Sequence, residues 1–463
     1  MKNFSTFRIR LVGLALAFGL NALAQTPVDP ALAQALQQKL DSCLTAFNVP
    51  GISCAIILPN GQEWQGTAGL SDINTFESMN TSLLFHQASV TKMYVTAVVM
   101  QLVEEGQLSL DDSLGTYLPP FPNINGKIKI RNLLNHRSGI FNYTEYPQFG
   151  SFCYFNPEAE RTPEEIITSY VQAPYFPENG GFHYSNTNFM LLAMIVEAIT
   201  GQPIATELRN RFLEPHSLNQ TFLPLTDSIA GPKATGWTLG PNPGVYDTDA
   251  APFLTNCFMS QAFAAGALVA QPVEVARFTR LLHGGDLVAD SLVAKMQSII
   301  GNNYGLGTMR FTYNGRTYYG HNGQISGFTT LTIYRPQDSV TLSLGINRSQ
   351  APHGPIAAAL LQVMYTYLTT TGTAEATAAA LAMSIRPNPA SGRVYVGGTT
   401  GSGGDFRVEV LDLSGRRLLE MDVPNVPPGR FEVPVKIDGL GPGLYACRLL
   451  NADKIMVKYI TIF

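Results

Sequence analysis

The sequence predicts an α+β domain over residues 25–368, a linker over residues 369–383 and a small all-β domain over residues 384–463. A helix and two strands open the first region, strands and a helix close it, and helices lie between them. This order is typical of one domain whose sheet joins both ends of the chain. After residue 383 only short strand patterns between Gly and Pro turns remain, which predicts a β-sandwich.

Residues 1–24 have the pattern of an export signal. Three basic residues precede a short apolar run at residues 11–20, and small residues lie at the positions that signal peptidase reads before Ala24. A membrane span needs about 20 apolar residues, so we expect cleavage after Ala24 rather than anchoring. No later segment is long and apolar enough to predict a span in the mature chain.

The mature chain begins with an α-β-β unit. Leucines recur at helical spacing over residues 30–47, which predicts an amphipathic helix. A strand is predicted over residues 51–58, and the turn sequence at residues 59–61 returns the chain into a second strand over residues 62–69.

The middle of the chain is mostly helical, and its end returns to strands. Gly stop signals mark the predicted helix ends, whereas residues 140–180 and 215–260 have no pattern that predicts an element. Helices are predicted over residues 91–105, 188–200, 273–282 and 355–368, and strands over residues 317–319, 329–334 and 340–346.

The C-terminal region follows a linker rich in Thr, Ala and Gly. A Gly-rich run at residues 397–404 is followed by no helix, which favours a hairpin loop over a phosphate-binding loop. Strands are predicted over residues 393–396, 406–413, 431–437, 443–450 and 458–462.

Composition excludes several classes of function. A net charge of −4 provides no basic surface for nucleic acid. The chain contains no metal-binding motif, and we expect no metal and no cofactor. The five cysteines are too few for a disulfide scaffold. Cys43 and Cys54 are a possible pair, and buried free thiols are equally compatible with the sequence.

The segment Ser89-Val90-Thr91-Lys92 is the strongest candidate for catalysis. It opens an apolar helix, and three residues of helix bring Lys92 onto nearly the same face as Ser89. A serine hydroxyl needs a base to become a nucleophile, and a lysine whose pKa is lowered by burial is such a base. An isolated Ser-x-x-Lys is nevertheless a weak signal, because a helix cap beside a solvated lysine has the same spacing.

A Tyr-x-Asn pattern occurs twice and supplies candidates for a proton shuttle and an amide ligand. Of residues 154–156 and 184–186, we prefer the second, because it follows a loop and leads into a helix. Tyr184 is expected to relay a proton to the leaving group, and Asn186 to bind the substrate. A half-buried structural tyrosine is the alternative.

A His-x-Gly pattern also occurs twice. The one at residues 283–285 has the form of a helix C-cap, whereas His321-Asn322-Gly323 lies between strand patterns. We expect His321 to bind a substrate carboxylate or assist proton transfer, and Gly323 to let the substrate backbone approach closely.

Taken together and in this order, the three motifs resemble the serine β-lactamase/penicillin-binding-protein superfamily, in its class C-like branch of D-alanyl-D-alanine carboxypeptidases and esterases. Residues 89–110, 133–139 and 182–186 and the Ala265-Gly266 pair are also similar to that family. The resemblance implies an antiparallel sheet flanked by helices, with the site in a cleft beside a helical subdomain. It also implies an acyl-enzyme at Ser89 and an oxyanion hole formed by the backbone N–H groups of Ser89 and Gln324.

The sequence departs from the class A pattern, since Tyr-Ser-Asn and His-Asn-Gly replace Ser-Asp-Asn and Lys-Thr-Gly. This favours a peptidase or esterase, acting on a small-molecule or peptidoglycan-type substrate, over a β-lactamase. The choice between Lys92 and Tyr184 as general base stays open. The alternatives from other classes are a non-catalytic β-lactam- or peptidoglycan-binding protein and a surface adhesin.

The C-terminal region resembles the sorting domain of type IX secretion substrates. The similar segments are residues 386–390, 410–416, 441–445 and 458–460. The resemblance implies the type IX machinery as a partner, export through the periplasm and a secreted or cell-surface location. A carbohydrate-binding sandwich is the alternative, and no row of aromatic residues supports it.

Overall fold

The computed structural model describes residues 28–224, 227–241, 244–371, 382–386, 390, 392–400, 403–412, 415–427, 429–451 and 454–462. The predicted export signal and its cleavage site lie outside the described residues, as does most of the predicted linker.

The helices predicted from apolar spacing are all present, with ends that shift by a few residues. The predicted helix at 188–200 begins two residues earlier, so that Asn186 is its first residue. Gly285, in the left-handed region at φ 80°, ends α9 and confirms the predicted C-cap. The α-helices are α1 Pro30–Phe47, α2 Thr91–Glu104, α3 Ile130–Leu134, α4 Ser151–Phe155, α5 Pro163–Tyr170, α6 Asn186–Thr200, α7 Ile204–Leu208, α8 Asn256–Gly266, α9 Pro272–Gly284, α10 Asp290–Gln297 and α11 His353–Thr370.

The strands before residue 371 form one seven-stranded antiparallel sheet, a short three-stranded sheet and one two-stranded pair. The large sheet has the order β3-β2-β1-β12-β11-β10-β9, and the strand predicted at residues 317–319 extends much further, to Ile325. The strands are β1 Gly51–Ile57, β2 Glu63–Asp72, β3 Glu77–Ser78, β4 Phe85–His86, β5 Thr221–Phe222, β6 Trp237–Thr238, β7 Thr248–Asp249, β8 Val269–Ala270, β9 Met309–Tyr313, β10 Arg316–Ile325, β11 Phe328–Tyr334 and β12 Thr341–Ile346.

The centre of the large sheet joins the two ends of the domain, as predicted. Strand β1 pairs with β12 in a register that sets Ile52 opposite Ile346. Both strands are buried along their whole length, because α1 and α11 cover one face and α9 covers the other. The α+β class predicted from the sequence is confirmed.

The helical subdomain surrounds α2. Nearly every residue of α2 is buried, and α6 and α8 pack against it, so the helix that follows Ser89 is central to the largest apolar core. Among the described residues no single helix is long and apolar enough to cross a membrane, although the bent pair Asn186–Thr200 and Ile204–Leu213 meets both criteria when taken together.

The C-terminal strands form two sheets that share one apolar core, which confirms an all-β domain. Two strands, β13 and β16, were not predicted. The prediction of a hairpin loop at the Gly-rich run is wrong, because residues 397–400 belong to β14, Gly404 begins β15, and these two strands lie in different sheets. The strands are β13 Ala382–Arg386, β14 Arg393–Thr400, β15 Gly404–Leu411, β16 Arg417–Val426, β17 Gly429–Lys436, β18 Gly443–Asn451 and β19 Lys454–Ile462.

The two regions meet through ion pairs. The Arg386 side chain is almost fully buried and binds both Glu104, at the end of α2, and Glu432 of the C-terminal sheet. Nearby, Arg430 pairs with Asp290 at 2.8 Å. Because a buried guanidinium is stable only when its charge is compensated, Arg386 couples the two regions.

The cysteines do not follow the pairing considered from the sequence. Cys43 and Cys54 are buried free thiols. The disulfide instead joins Cys153 of α4 to Cys257 of α8 across 104 residues. It lies in two stretches for which the sequence predicted no element.

Candidate active site

Ser89 lies in a tight turn at the start of α2. The turn is a 3-10 segment, Ala88–Val90, and Ala88 has a φ of +48°, which is unusual for a residue with a side chain. The Thr91 hydroxyl supports the turn by donating to the Ala88 carbonyl at 2.6 Å. Ser89 is partly exposed between buried neighbours. Strained backbone of this kind is concentrated at functional sites.

Lys92 is fully buried directly behind Ser89. Its Nζ lies 3.2 Å from Ser89 Oγ, 2.8 Å from Asn186 Oδ1 and 2.6 Å from the Ala265 carbonyl oxygen. Removal from water lowers the pKa of the ammonium well below its ordinary value. No carboxylate contacts Nζ among the described residues to oppose this effect.

The Ala265 contact depends on a break inside α8. Phe263 leaves the helical region, with φ 35° and ψ −130°, so the helix no longer continues regularly towards Gly266. The Ala265 carbonyl oxygen thereby accepts a hydrogen bond from Lys92 Nζ instead of one from a backbone N–H of the helix.

Tyr184 and Asn186 flank the lysine. The Lys92 Nζ lies 4.9 Å from the centre of the Tyr184 ring, and Asn186 is held from its other side by the hydroxyl of Thr144 at 3.1 Å. The Tyr184 hydroxyl is buried and forms no hydrogen bond of standard geometry with the described residues. The Tyr184 hydroxyl nevertheless interacts with the Ser89 side chain. Burial raises the pKa of Tyr184 well above its usual value, and the interaction with Ser89 offsets part of that rise.

Of the two roles expected of His321, its geometry disfavours the binding of a substrate carboxylate. Its ring is buried, with Nδ1 2.6 Å from the Asn322 carbonyl oxygen and Nε2 2.9 Å from the Tyr304 hydroxyl. A carbonyl only accepts, so Nδ1 carries the proton and Nε2 accepts from Tyr304. Burial lowers the pKa of His321 to about 3. A neutral ring with both nitrogens bonded is not arranged to bind a carboxylate.

Gly323 packs closely against the turn that carries Ser89. A Cβ at this position would overlap the Gln87 carbonyl oxygen and stand 2.5 Å from Thr330 Oγ1. The glycine therefore lets β10 pack against the turn that carries Ser89. The next residue, Gln324, lines the same cavity as Ser89.

Sequence reasoning assigned no role to His136 or Tyr304. His136 Nδ1 accepts the Ser185 N–H at 3.1 Å, and its ring packs on Tyr184. Burial lowers the pKa of His136 well below its ordinary value, so the ring is neutral. It lies in the 133–139 segment that carried part of the family resemblance, whereas Tyr304 belongs to no motif. The other Tyr-x-Asn pattern, at residues 154–156, lies outside this cluster on α4.

A small cavity of about 100 Å³ opens over Ser89. None of its lining residues is charged. Within the part of the chain that the structure describes, no three His, Cys, Asp or Glu side chains are grouped to hold a metal ion. The cavity is lined by Ala88, Ser89, Tyr143, Thr144, Phe149, Asn186, Phe258, Ala262, Ala265, Gly266, Gln324 and Ile325.

Comparison with known proteins relates both regions to described families. A family model described as Beta-lactamase matches residues 33–364, and one described as Secretion system C-terminal sorting domain matches residues 384–462. The second match implies export by secretion machinery to the cell surface or the medium.

Individual relatives agree with the first match. Penicillin-binding protein 4 of Amycolatopsis lactamdurans is 25% identical over 67% of this chain and 84% of its own length. D-aminopeptidase of Brucella anthropi is 27% identical, over 41% of this chain and 36% of that protein. The structure of a D-stereospecific amidohydrolase from Streptomyces sp. superposes with a TM-score of 0.61 at 28% identity, covering 71% of this chain and 97% of that one.

Proposed function

The chain belongs to the beta-lactamase family of serine hydrolases, and from that premise we propose that it cleaves a small amide or ester through an acyl-enzyme on Ser89. We assign the hydrolase to residues 25–368 and the sorting domain to residues 384–463, with residues 369–383 as the linker. The observation that carries the proposal is the buried Lys92 amine with its contacts to Ser89, Asn186 and Ala265.

These three contacts favour Lys92 as the general base. The Asn186 Oδ1 and the Ala265 carbonyl oxygen can only accept hydrogen bonds, so they use two N–H bonds of the amine. A neutral amine then has its lone pair left for the Ser89 hydroxyl proton. Because burial lowers the pKa of Lys92, the neutral form becomes available nearer to physiological pH.

Acylation begins with proton transfer from Ser89 to Lys92. Ser89 Oγ attacks the substrate carbonyl carbon while its proton passes to Lys92 Nζ. In this proposal the oxyanion is held by the backbone N–H groups of Ser89 and Gln324. Both residues line the same cavity, and Gly323 packs on the turn that carries Ser89. When the bond to the leaving group breaks, that group takes a proton from the Tyr184 hydroxyl, which is replenished from Lys92. Water then attacks the acyl carbonyl carbon while one of its protons passes to Lys92 Nζ. The bond to Ser89 Oγ breaks, that oxygen takes the proton back from Lys92, and the acid is released.

The raised pKa of Tyr184 suits it to this donor role. A phenol whose pKa is raised by burial stays protonated at neutral pH, so it supplies a proton rather than removing one. This division of roles assigns the base to Lys92 and the relay to Tyr184. His321 is then a positioning residue that acts through Tyr304 rather than a ligand for substrate.

The uncharged cavity favours a substrate without a carboxylate next to the scissile bond. A carboxypeptidase binds its substrate's terminal carboxylate with a cation, and the described residues lining the Ser89 cavity include none. His321, the sequence-based candidate for that contact, has both nitrogens occupied. We therefore favour an amidase, aminopeptidase or esterase over a D-alanyl-D-alanine carboxypeptidase.

Intact mass after incubation with benzylpenicillin and with p-nitrophenyl acetate tests the proposal on the full-length chain. An adduct on Ser89, or release of p-nitrophenol that depends on Ser89, is expected. Ser89→Ala removes both, and Ser82→Ala, at an exposed serine outside the cavity, is the matched control. Sustained antibiotic destruction would identify a β-lactamase instead.

The other classes give different results. A binding protein without turnover would show neither adduct nor product although it retains the antibiotic in equilibrium dialysis. An adhesin would lose its surface or glycan binding when the C-terminal region is removed, and it would be insensitive to Ser89→Ala. Either pattern overturns the proposed chemistry.

A further inference from the structure

A second and larger cavity adjoins the Ser89 cavity. Its volume is about 370 Å³, and its lining includes Tyr154, Phe155, Phe253, Phe258 and Ser326. Phe258 also lines the Ser89 cavity, and Ser326 directly follows Ile325, another residue of that cavity. The two cavities are therefore adjacent, with Phe258 in the wall of both.

The volumes indicate that a substrate extends from one space into the other. Ligand pockets for small molecules occupy about 300–1,000 Å³, so the 100 Å³ over Ser89 holds little more than the reacting group. The adjoining cavity supplies the missing volume.

The chemistry of the second cavity is aromatic and uncharged. None of its lining residues is charged, and Tyr154 and Phe155 are 75% and 78% exposed while Phe253 is 44% exposed. A cluster of solvent-exposed, large apolar side chains around a cavity is typical of a binding surface. They offer flat faces and edges to another aromatic group.

The Cys153–Cys257 disulfide holds this rim against the catalytic cleft. It ties α4, which carries Tyr154 and Phe155, to α8, which carries Phe258 and leads to Ala265. The aromatic side chains consequently keep their distance from the Lys92 contact. A rim held in place loses less conformational freedom when it binds.

We propose that this cavity is the subsite for an aromatic or bulky apolar side chain on the acyl part of the substrate. The inference rests on the proposed function. The leaving group must reach the Tyr184 hydroxyl to be protonated, and Tyr184 lines neither cavity. The group that extends past Asn186 and Phe258 into the larger space is thus the acyl group.

Two esters with the same leaving group test the subsite: p-nitrophenyl acetate and p-nitrophenyl 3-phenylpropanoate. In the double variant Tyr154→Ala/Phe155→Ala, we expect kcat/KM for the phenylpropanoate to fall about tenfold or more and that for the acetate to stay within twofold. Both side chains are exposed, so folding is preserved. Phe76→Ala, at an equally exposed phenylalanine that lines neither cavity, is the control.

An equal fall for both esters, or no fall for either, would overturn the subsite while leaving the hydrolase intact. If the parent chain consumed neither ester in a Ser89-dependent manner, the proposed function itself would fail. As a second variant, Cys153→Ser/Cys257→Ser should show the same selective loss, because it frees the rim without removing an aromatic ring. Retained selectivity there would contradict the role given to the disulfide.

Discussion

The imidazole of His136 packs on the phenol ring of Tyr184, with 4.2 Å between the ring centroids, while its Nδ1 accepts the N–H of Ser185. His136 thereby orients the residue proposed to relay the proton. We expect His136→Phe, which keeps an aromatic ring but loses the acceptor, to lower kcat about 10- to 100-fold with little change in KM. Steady-state kinetics on p-nitrophenyl acetate measures kcat and KM separately and so tests this expectation.

His136→Asn is the matching variant, because its side-chain oxygen can accept the same N–H. Partial recovery of kcat relative to His136→Phe would identify the acceptor as the functional element. Equal kcat in both variants would mean that His136 only fills space.

Lys92→Met should abolish turnover while leaving the fold in place. Loss of a general base costs about 10²–10⁴-fold in rate, and methionine fills a similar buried volume. Lys92→Arg should be equally inactive, since a guanidinium stays protonated and cannot accept the Ser89 proton. Stopped-flow acylation measures the rate, and Lys39→Met, at a lysine of α1 outside the cleft, is the control. An active Lys92→Arg variant would transfer the base role to Tyr184.

The pH dependence of activity follows from the lowered pKa of Lys92. Acylation needs the neutral amine, so kcat/KM should rise with pH on a single ionisation below the ordinary lysine value. A pH–rate profile of kcat/KM measures it. If kcat/KM did not change with pH below the ordinary lysine pKa, no titrating base would limit acylation.

Stability should depend on the same group in a defined direction. In the unfolded chain Lys92 keeps its proton until the pH approaches the ordinary lysine pKa of 10.5. In the folded chain Lys92 loses the proton at a lower pH, because burial lowers its pKa. Between these two pKa values the unfolded state binds more protons, so stability rises with pH. Chemical denaturation of the parent and Lys92→Met should show the parent gaining relative stability as pH approaches 10.5. A pH-independent difference would contradict this assignment.

Gly323→Ala should disable the oxyanion site and destabilise the domain. The added methyl would overlap the Gln87 carbonyl oxygen, forcing β10 away from the Ser89 turn. Overpacking of this kind costs about 1–3 kcal/mol. Gly126→Ala is the control, because its nearest neighbour to a new Cβ is 3.6 Å away. Thermal melts and ester turnover of both variants test the prediction, and a fully active Gly323→Ala would refute it.

Arg386→Ala should loosen the C-terminal region from the hydrolase. It leaves Glu104 and Glu432 without their common partner, and breaking a buried ion pair costs about 3–5 kcal/mol. Calorimetry should resolve two unfolding transitions in the variant where the parent shows one. Arg407→Ala, at a partly exposed arginine within the C-terminal sheet, should leave the parent's behaviour unchanged.

Local patterns predicted most of the fold. Apolar spacing indicated α1, α2, α6, α9 and α11, and turn chemistry indicated the β1–β2 hairpin. The misses depend on information that no local pattern contains. The partner of Cys153 lies 104 residues away, and β16 alternates polar and apolar residues too weakly to predict a strand.

In the candidate site, too, features set by local sequence could be predicted, whereas features set by distant segments could not. The Ser89–Lys92 spacing is a property of one helical turn and could be predicted. The roles expected of His321 and Gly323 were drawn from a His-x-Gly pattern between two strand patterns. The pattern did not contain their tertiary neighbours, which are Tyr304 for His321 and Gln87 for Gly323. Burial and the identity of neighbouring backbone atoms are settled only when distant segments meet.

The pairing of β1 with β12 constrains when this protein can fold. The sheet cannot close until the last of its strands has left the ribosome, so an emerging chain exposes β1 and α1 without their partners. Pairings between such distant segments form slowly. The hydrolase region can therefore complete its sheet only after most of its sequence has been synthesised, because β12 follows the whole helical subdomain along the chain.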